Sequence, residues 1–377
     1  MIVMLAIVCV FNVNINMVRA DPLSDSIDTQ IEKINLDDFE DYFNSVAGNT
    51  GLDFFECFNA LIKGEYNLSY QTIYEYIIKI FFSEASSFMP TFIGVVAVSI
   101  FCGVMKNVRG TFLSENFGDI IVFVGVLSII ILLTNEIVAI FSNVQITIKN
   151  MANLTEIMSP IIITLMIASG GNVSASVYKP AVAFLSGGIV SVSQNIIFPL
   201  LELILIFTII SGFSSLVKLN KFSECAYSSI KWIVGIVVTI FSVFLTIQGI
   251  TSAAFDGISI KAAKFAISNS VPLIGVFLSG GFDVVIAGSV IIKNVVGITT
   301  VIALFYTVLT PIITITIFVN LLKIVAAIIE PISDEKITSF LGAVTKCVSY
   351  LTVVLLMVGL MIFITVLLLI FSANSFV

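Results

Sequence analysis

The stretch VSYLTVVLLMVGLMIFITVLLLIF, residues Val348–Phe371, decides the fold class of this chain. It holds 24 residues without a charged side chain. As an α-helix it is about 36 Å long, more than the ~30 Å hydrocarbon core of a bilayer. Backbone polar groups find no water inside a bilayer, so such a segment crosses it as a helix. The stretch therefore predicts a membrane-spanning helix.

The composition of the whole chain agrees with this prediction. Of 377 residues, 58% are hydrophobic and 11% are charged, whereas a soluble domain has about 25% charged residues. This balance excludes a soluble globular enzyme and a disordered chain.

The chain also lacks the residue types that most catalytic and metal sites need. It has no histidine, which removes the commonest general base and the commonest metal ligand. Its five cysteines show no paired metal spacing, and there is no P-loop. A net charge of −7 argues against nucleic acid as a partner. We therefore expect no enzyme, no cofactor and no bound metal.

Further apolar runs predict an all-α polytopic membrane protein. The first two transmembrane spans are predicted within residues 88–142. Basic residues between the runs assign the ends at Lys106, Lys221, Lys231, Lys336 and Lys346 to the cytoplasm. The runs before the one quoted above are Met89–Met105, Ile120–Ser142, Ile157–Ser169, Ala181–Phe213, Trp232–Ile250, Val271–Ile292 and Val295–Ala327.

The acidic residues concentrate near the N-terminus. Residues 21–84 have a net charge of −10, whereas residues 85–377 have a net charge of +2. The short apolar core Ile2–Phe11 predicts a signal peptide at residues 1–20, either cleaved or retained. Residues 21–87 then form a small acidic extracytoplasmic helical region. Its amphipathic helix at 70–87 lies in the membrane interface or packs on the chain's own membrane domain.

Ordered landmarks recur at an offset of about 113 residues. They predict two parallel membrane repeats, at 157–251 and 271–371. The alternative is chance, because lysines of membrane proteins cluster at the ends of spans. The landmark pairs are Lys179 and Lys293, Pro199 and Pro311, Lys221 and Lys336, and Lys231 and Lys346.

Each predicted repeat contains interrupted, re-entrant-like segments. The arms beside Gly280 and Gly281 each reach roughly half of a ~30 Å hydrocarbon core. Such a segment is a re-entrant hairpin or one kinked span, and the chain accordingly has six or ten membrane crossings. The ten-crossing topology places both Lys179 and Lys293 on the cytoplasmic side, and the six-crossing topology places both on the other side. The candidate helix breaks are Pro160, Gly170, Gly171, Pro199, Gly280, Gly281 and Pro311.

Ionisable residues at membrane depth are the candidate functional residues, because each costs several kcal/mol there. Glu202 lies in a long apolar run, and Asp283 follows a Gly-Gly pair. Each has a structural reading, as a cap, an interface anchor or an internal ion pair. The functional reading is that they line a passage or dock a partner. The full set is Glu202, Asp256, Lys261, Lys264, Asp283 and Lys293.

Several stretches together resemble the stage III sporulation protein AE family. The densest is QGITSAAFDGISIKAAKF at Gln248–Phe265, continued by NSVPLIG at Asn269–Gly275. The others are DVVIAGS at Asp283–Ser289, KNVVG at Lys293–Gly297, EPISD at Glu330–Asp334, FCGVMKN at Phe101–Asn107 and MSP at Met158–Pro160.

This resemblance implies a role in endospore formation. The chain would be a multi-pass protein of the mother-cell membrane around the forespore, with its N-terminal region extracytoplasmic. It would belong to a secretion-like channel complex linking the mother cell and the forespore. The implied partners are other stage III sporulation A-type proteins, including a separate ATPase, and a partner in the forespore membrane. The residues alone leave two rivals, a self-contained secondary transporter and a passive membrane scaffold.

Overall fold

The computed structural model describes residues 36–47, 53–63, 70–107, 115–213, 219–270 and 275–372, and these residues contain no β-strand. Most of them belong to long helices. The helices are α1 (Asp37–Ala47), α2 (Phe54–Ile62), α3 (Tyr70–Asn107), α4 (Glu115–Ala168), α5 (residues 172–213), α6 (Asn220–Ser270), α7 (Gly275–Ile329) and α8 (Glu335–Phe371).

Six of these helices, α3 to α8, are long and apolar enough to cross a membrane. The prediction of an all-α polytopic membrane protein is therefore confirmed for the described residues. The apolar parts of α4, α5 and α7 measure 49, 41 and 46 residues. At 1.5 Å per residue these are about 74, 62 and 69 Å, roughly twice the hydrocarbon thickness. The described residues thus contain six spanning candidates, and the segments predicted as hairpins belong to long helices.

The hairpin of α7 and α8 forms the centre of the bundle. In α8, 61% of the most apolar stretch is buried, the largest share among the six spanning candidates. The two helices lie close together where Gly297 of α7 faces Ile370 of α8. On another side of α7, Phe88 and Phe92 of α3 pack edge-on against Phe318, with ring centroids 5.3 and 5.4 Å apart. Helices α5 and α6 lie at the periphery, with 28% and 17% of their apolar stretches buried.

The described part of the acidic N-terminal region folds into two short helices around an aromatic cluster. Phe39, Phe43, Phe54 and Phe58 are buried there, and Phe54 contacts the other three rings. Asp53 begins α2 as its N-cap, because its carboxylate accepts the backbone N–H groups of residues 55 and 56. The predicted signal peptide, residues 1–20, lies outside the described residues.

The amphipathic segment at 70–87 and the first predicted span form one continuous helix, α3. Its N-terminal part packs on the bundle, because the Tyr76 and Thr310 hydroxyl groups hydrogen-bond at 3.2 Å. The Tyr76 ring also meets Tyr306 of α7 edge-on at 5.3 Å. These contacts fit the alternative in which the segment packs on the chain's own membrane domain, and the choice between the two alternatives stays a prediction.

The chain turns between α4 and α5 at Gly170 and Gly171. Gly170 has a φ of 88°, a left-handed conformation that favours glycine. Its N–H donates to Ile167 O, and the Gly171 N–H donates to Met166 O. This pair of hydrogen bonds is a Schellman motif, which ends a helix and satisfies its last carbonyls.

The other five predicted breaks are wrong. Helix α4 continues through Pro160, and α7 continues through Gly280, Gly281 and Pro311. Pro199 lies inside α5, directly after a π-helical turn at Ser193–Ile197. A proline removes one backbone hydrogen bond, and neighbouring helices and local π adjustments compensate for it in membrane helices. Glycine is also common inside such helices.

Candidate functional site

A polar pair joins α4 and α5 on the outside of the bundle. Gln145 Nε2 of α4 donates to Glu202 Oε1 of α5 at 3.4 Å. Glu202 is the one charged residue in the apolar run Ala181–Phe213, and its side chain is exposed. It lies 11 residues before Phe213, where α5 ends, which is about 17 Å along the helix. The carboxylate therefore lies deep within an apolar span and on its surface.

A second carboxylate lies on the same helix as Gln145. Glu136 of α4 accepts a hydrogen bond from Thr91 Oγ1 of α3 at 3.0 Å, and its side chain is half-buried. Glu136 and Gln145 are nine positions apart, so they lie on opposite faces of α4, toward α3 and toward α5. Glu136, Gln145 and Glu202 are together called the polar band.

Irregular helix geometry in α5 extends this band. The helix consists of Asn172–Ala183, a π-helical turn at Phe184–Ile189, the short Val190–Val192, a second π-helical turn and Phe198–Phe213. The second π turn contains Gln194, whose Nε2 donates to the backbone carbonyl of Gln145 at 3.1 Å. Single π turns occur frequently at functional positions of α-helices. Here the π turn places the Gln194 amide on the backbone of Gln145, the residue whose side chain donates to Glu202.

Lys293 is placed very differently from Glu202. Its side chain is fully buried, although it carries an ammonium group in an apolar helix. Lys293 Nζ donates to the backbone carbonyl of Ser372, directly after the end of α8. A cation at the C-terminal end of a helix is favourable, because the last carbonyls lack partners within the helix. This contact ties α7 to the end of α8 beside the turn after α4, where Ser372 Oγ contacts Met166 Sδ at 3.6 Å.

Four predicted site residues have side chains outside the described part of the structure. They are Asp256, Lys261 and Lys264 in α6, and Asp283 in α7. The structure does not bring Glu202 and Lys293 into one site. Within the described ranges, no group of three or more cysteine or acidic side chains is arranged to hold a metal ion.

Tyr42 supplies hydrogen bonds between the N-terminal helices and the bundle. Tyr42 Oη donates to the backbone carbonyl of Asn150 at 3.0 Å and lies 3.4 Å from Thr307 Oγ1. The contact joins α1 to both α4 and α7. Burial raises the pKa of Tyr42, with a smaller opposing effect from the Thr307 hydroxyl. The phenol therefore stays protonated and keeps its donor at physiological pH.

Comparison with known proteins assigns the chain to a family. The family model described as stage III sporulation protein AE matches residues 52–373, which include α2 to α8. The chain belongs to this family. It is also 27% identical over 280 residues to stage III sporulation protein AE of Bacillus subtilis (strain 168), covering 74% of this chain and 70% of that protein. No solved structure matches the chain.

The part of the chain that matches the stage III sporulation protein AE family contains residues that sequence reasoning missed. Gln145, Gln194 and Thr91 are polar contacts of the band, yet none stands out from an apolar run by charge. The sequence does contain a signal for Gln145. It is a polar residue in a helix long enough to span the membrane, and Lys149 follows it four positions later. Gln194 gives no such signal, since the π turn that directs it cannot be read from residue types.

Proposed function

We propose that this chain is a membrane component of the assembly that links the mother cell and the forespore and is required after engulfment. Family membership supports the sporulation role. In this proposal the chain lies in the mother-cell membrane around the forespore, and its N-terminal region is extracytoplasmic. Its partners are other stage III sporulation A-type proteins, a separate ATPase and a protein of the forespore membrane. The chain itself catalyses no reaction.

The observation that carries the proposal is the exposed carboxylate of Glu202. Its exposed neighbours on α5 are apolar, with Leu203 44% and Ile206 48% accessible. A carboxylate that faced lipid at this depth would cost several kcal/mol. A partner surface or a water-lined passage around Glu202 would remove that cost. The band therefore fits a subunit whose polar surface is covered or hydrated in an assembly.

A self-contained secondary transporter would place its ionisable groups differently. It would enclose its coupling groups between its own helices, and Lys293 is the buried ionisable residue that favours this second candidate. Uptake of a substrate by the purified chain, driven by an ion gradient and lost in Lys293→Met, would support it. Ion conductance that appears only in the assembled complex would support the main proposal. Absence of conductance from both would instead indicate a passive scaffold.

The direct test is genetic, in a spore-forming host. Deletion of the chain is expected to stop development after engulfment, and normal spores would contradict the proposal. Glu202→Ala, at wild-type protein levels, is expected to lower spore yield at least tenfold. The matched control is Glu75→Ala, since Glu75 is an exposed carboxylate near the start of α3 that hydrogen-bonds only within its own helix, to Gln71. Equal spore yields for the two variants would exclude a role for the band.

A further inference from the structure

Two lysines lie on neighbouring helices, α6 and α8, near the end of the bundle that the charge pattern assigns to the cytoplasm. Lys231 follows Asn220, the first residue of α6, by 11 positions, and Lys346 follows Glu335, the first residue of α8, by 11 positions. Both precede the long apolar parts of their helices. At this height a polar side chain meets the boundary between lipid headgroups and hydrocarbon.

An aromatic pair brings these two lysines to one place. Lys346 Nζ lies 4.5 Å from the centre of the Tyr227 ring, a cation–π contact between α8 and α6. The Tyr227 ring packs on Tyr350 with centroids 4.6 Å apart. Lys231 comes four residues after Tyr227, so the two side chains are neighbours on one face of α6. Tyr227 thus has the Lys346 ammonium over its ring and Lys231 one turn further along α6.

Both ammonium groups are available to an external anion. The side chains of Lys231 and Lys346 are exposed. Among the described residues, the salt bridge on α6 joins Lys221 to Glu224 at 3.0 Å and involves neither lysine of the pair. Two cations without a carboxylate partner among the described residues create a local positive potential that favours a phosphate group.

A shallow, open apolar groove begins beside Lys231 and runs along α6, the helix that supplies its described lining residues. Its volume is about 500 Å³, and it is lined by Lys231, Trp232, Gly235, Ile236, Thr239 and Ile240. No heavy atom lies within 4 Å of the position of a Cβ at Gly235, so the groove is open there. The Thr239 hydroxyl donates to Gly235 O at 2.8 Å, so that hydroxyl is satisfied within its own helix and the middle of the groove is apolar. Such a lining suits a hydrocarbon chain.

Trp232 marks the level at which this groove meets the headgroups. Its side chain is 72% exposed, and tryptophan is enriched at the membrane–water interface, where one part of the ring is apolar and the other is polar. Helix α6 also has the least buried apolar stretch of the six spanning candidates. The side of α6 that carries Trp232 is thus little covered by the rest of the chain.

We propose that Lys231, Lys346 and the groove at Gly235 form a binding site for one anionic phospholipid. The two ammonium groups bind the headgroup phosphate, Trp232 lies at the level of the glycerol, and one acyl chain occupies the groove. The positive pair matches the anionic lipids of the cytoplasmic leaflet. A second copy of this chain fits less well, because a two-fold axis along this face would bring Lys231 toward the Lys231 of the second copy.

The proposal is tested with the full chain in detergent, by native mass spectrometry during titration with phosphatidylglycerol or phosphatidylcholine. We expect preferential retention of phosphatidylglycerol. Lys231→Gln and Lys346→Gln should each weaken that retention about fivefold, the effect of one basic residue near an anionic surface. Gly235→Leu should weaken it through the acyl chain while leaving both lysines in place, and the open space at Gly235 lets the variant fold.

Matched controls separate this site from general effects. Lys323→Gln removes an exposed lysine on a different helix, α7. Gly187→Leu fills an open position on α5. Both controls should retain phosphatidylglycerol like the wild type. Equal retention of the two lipids, or an equal loss in the controls, would overturn the proposal. Full competition by glycerophosphoglycerol, which lacks acyl chains, would overturn it too, and so would a dimer that survives delipidation and is dissociated by Gly235→Leu.

Discussion

The hairpin of α5 and α6 and the hairpin of α7 and α8 carry the same landmarks in different environments. Leu219 O accepts the N–H groups of Phe222 and Ser223. Asp334 O accepts those of Ile337 and Thr338, each 115 positions later. Helices α6 and α8 begin at Asn220 and Glu335, again 115 apart. These agreements support the predicted duplication, which stays a prediction.

The environments of the two hairpins differ along their whole length. The second hairpin is the centre of the bundle and the first is its periphery, as the buried shares of 61% for α8 and 17% for α6 indicate. Lys179 is exposed, whereas Lys293 at the matching position is buried. The first hairpin begins after a turn at Gly170 and Gly171, but α7 continues through Gly280 and Gly281. Similar residue patterns therefore specify helices and loops, and packing specifies which hairpin is enclosed.

The largest expected difference between the hairpins concerns their lysines. Lys293→Glu should lower the free energy of unfolding by about 3–5 kcal/mol, because it buries a carboxylate against the carbonyl of Ser372. Lys179→Glu should change it by less than about 0.5 kcal/mol, since that side chain is exposed. Reversible unfolding of the two variants in mixed micelles measures both changes. Equal losses would show that the two hairpins do not differ in burial.

A smaller difference is expected at glycines. A Cβ at Gly297 would overlap the side chain of Ile370, so Gly297→Ala should cost about 1–3 kcal/mol by forcing α7 and α8 apart. At Gly187 of α5 there is no heavy atom within 4 Å of the added Cβ. Gly187→Ala should therefore be neutral or stabilise by up to about 1 kcal/mol through helix propensity. The same unfolding measurement tests the pair, and a tolerated Gly297→Ala would refute the close contact.

The smallest difference is expected at the helix starts. Asp334 caps α8, because its carboxylate accepts the Lys336 N–H at 2.8 Å, while the matching position before α6 is Leu219. Asp334→Ala should cost about 1 kcal/mol, and Leu219→Asp should stabilise by about 0.5–1 kcal/mol. Thermal unfolding of both variants is the measurement. A loss of stability in Leu219→Asp would mean that the two loops are not equivalent.

Part of the fold was accessible from residue types and part was not. Apolar runs predicted the spanning helices, and the glycine pair at Gly170 predicted a turn that the structure places there. The same reasoning failed at the pair Gly280 and Gly281 and at Pro311, because neither a glycine pair nor a proline breaks a helix that its neighbours support. At the site, its charge identified Glu202 as a candidate. Its hydrogen-bond partner Gln145 lies 57 positions earlier in the chain, on another helix, so the sequence did not reveal the pair.

The sequence by itself determined that this protein is helical, lies in a membrane and belongs to a sporulation family, because hydrocarbon leaves a long apolar chain few other structures and the motifs are local. Only the tertiary structure decided that α7 and α8 are enclosed, that Lys293 binds the end of α8 and that the Lys346 ammonium lies over the Tyr227 ring. These outcomes depend on which helix faces pack together. That choice is made by side-chain shape between residues distant in the chain, and no pattern within one helix contains it.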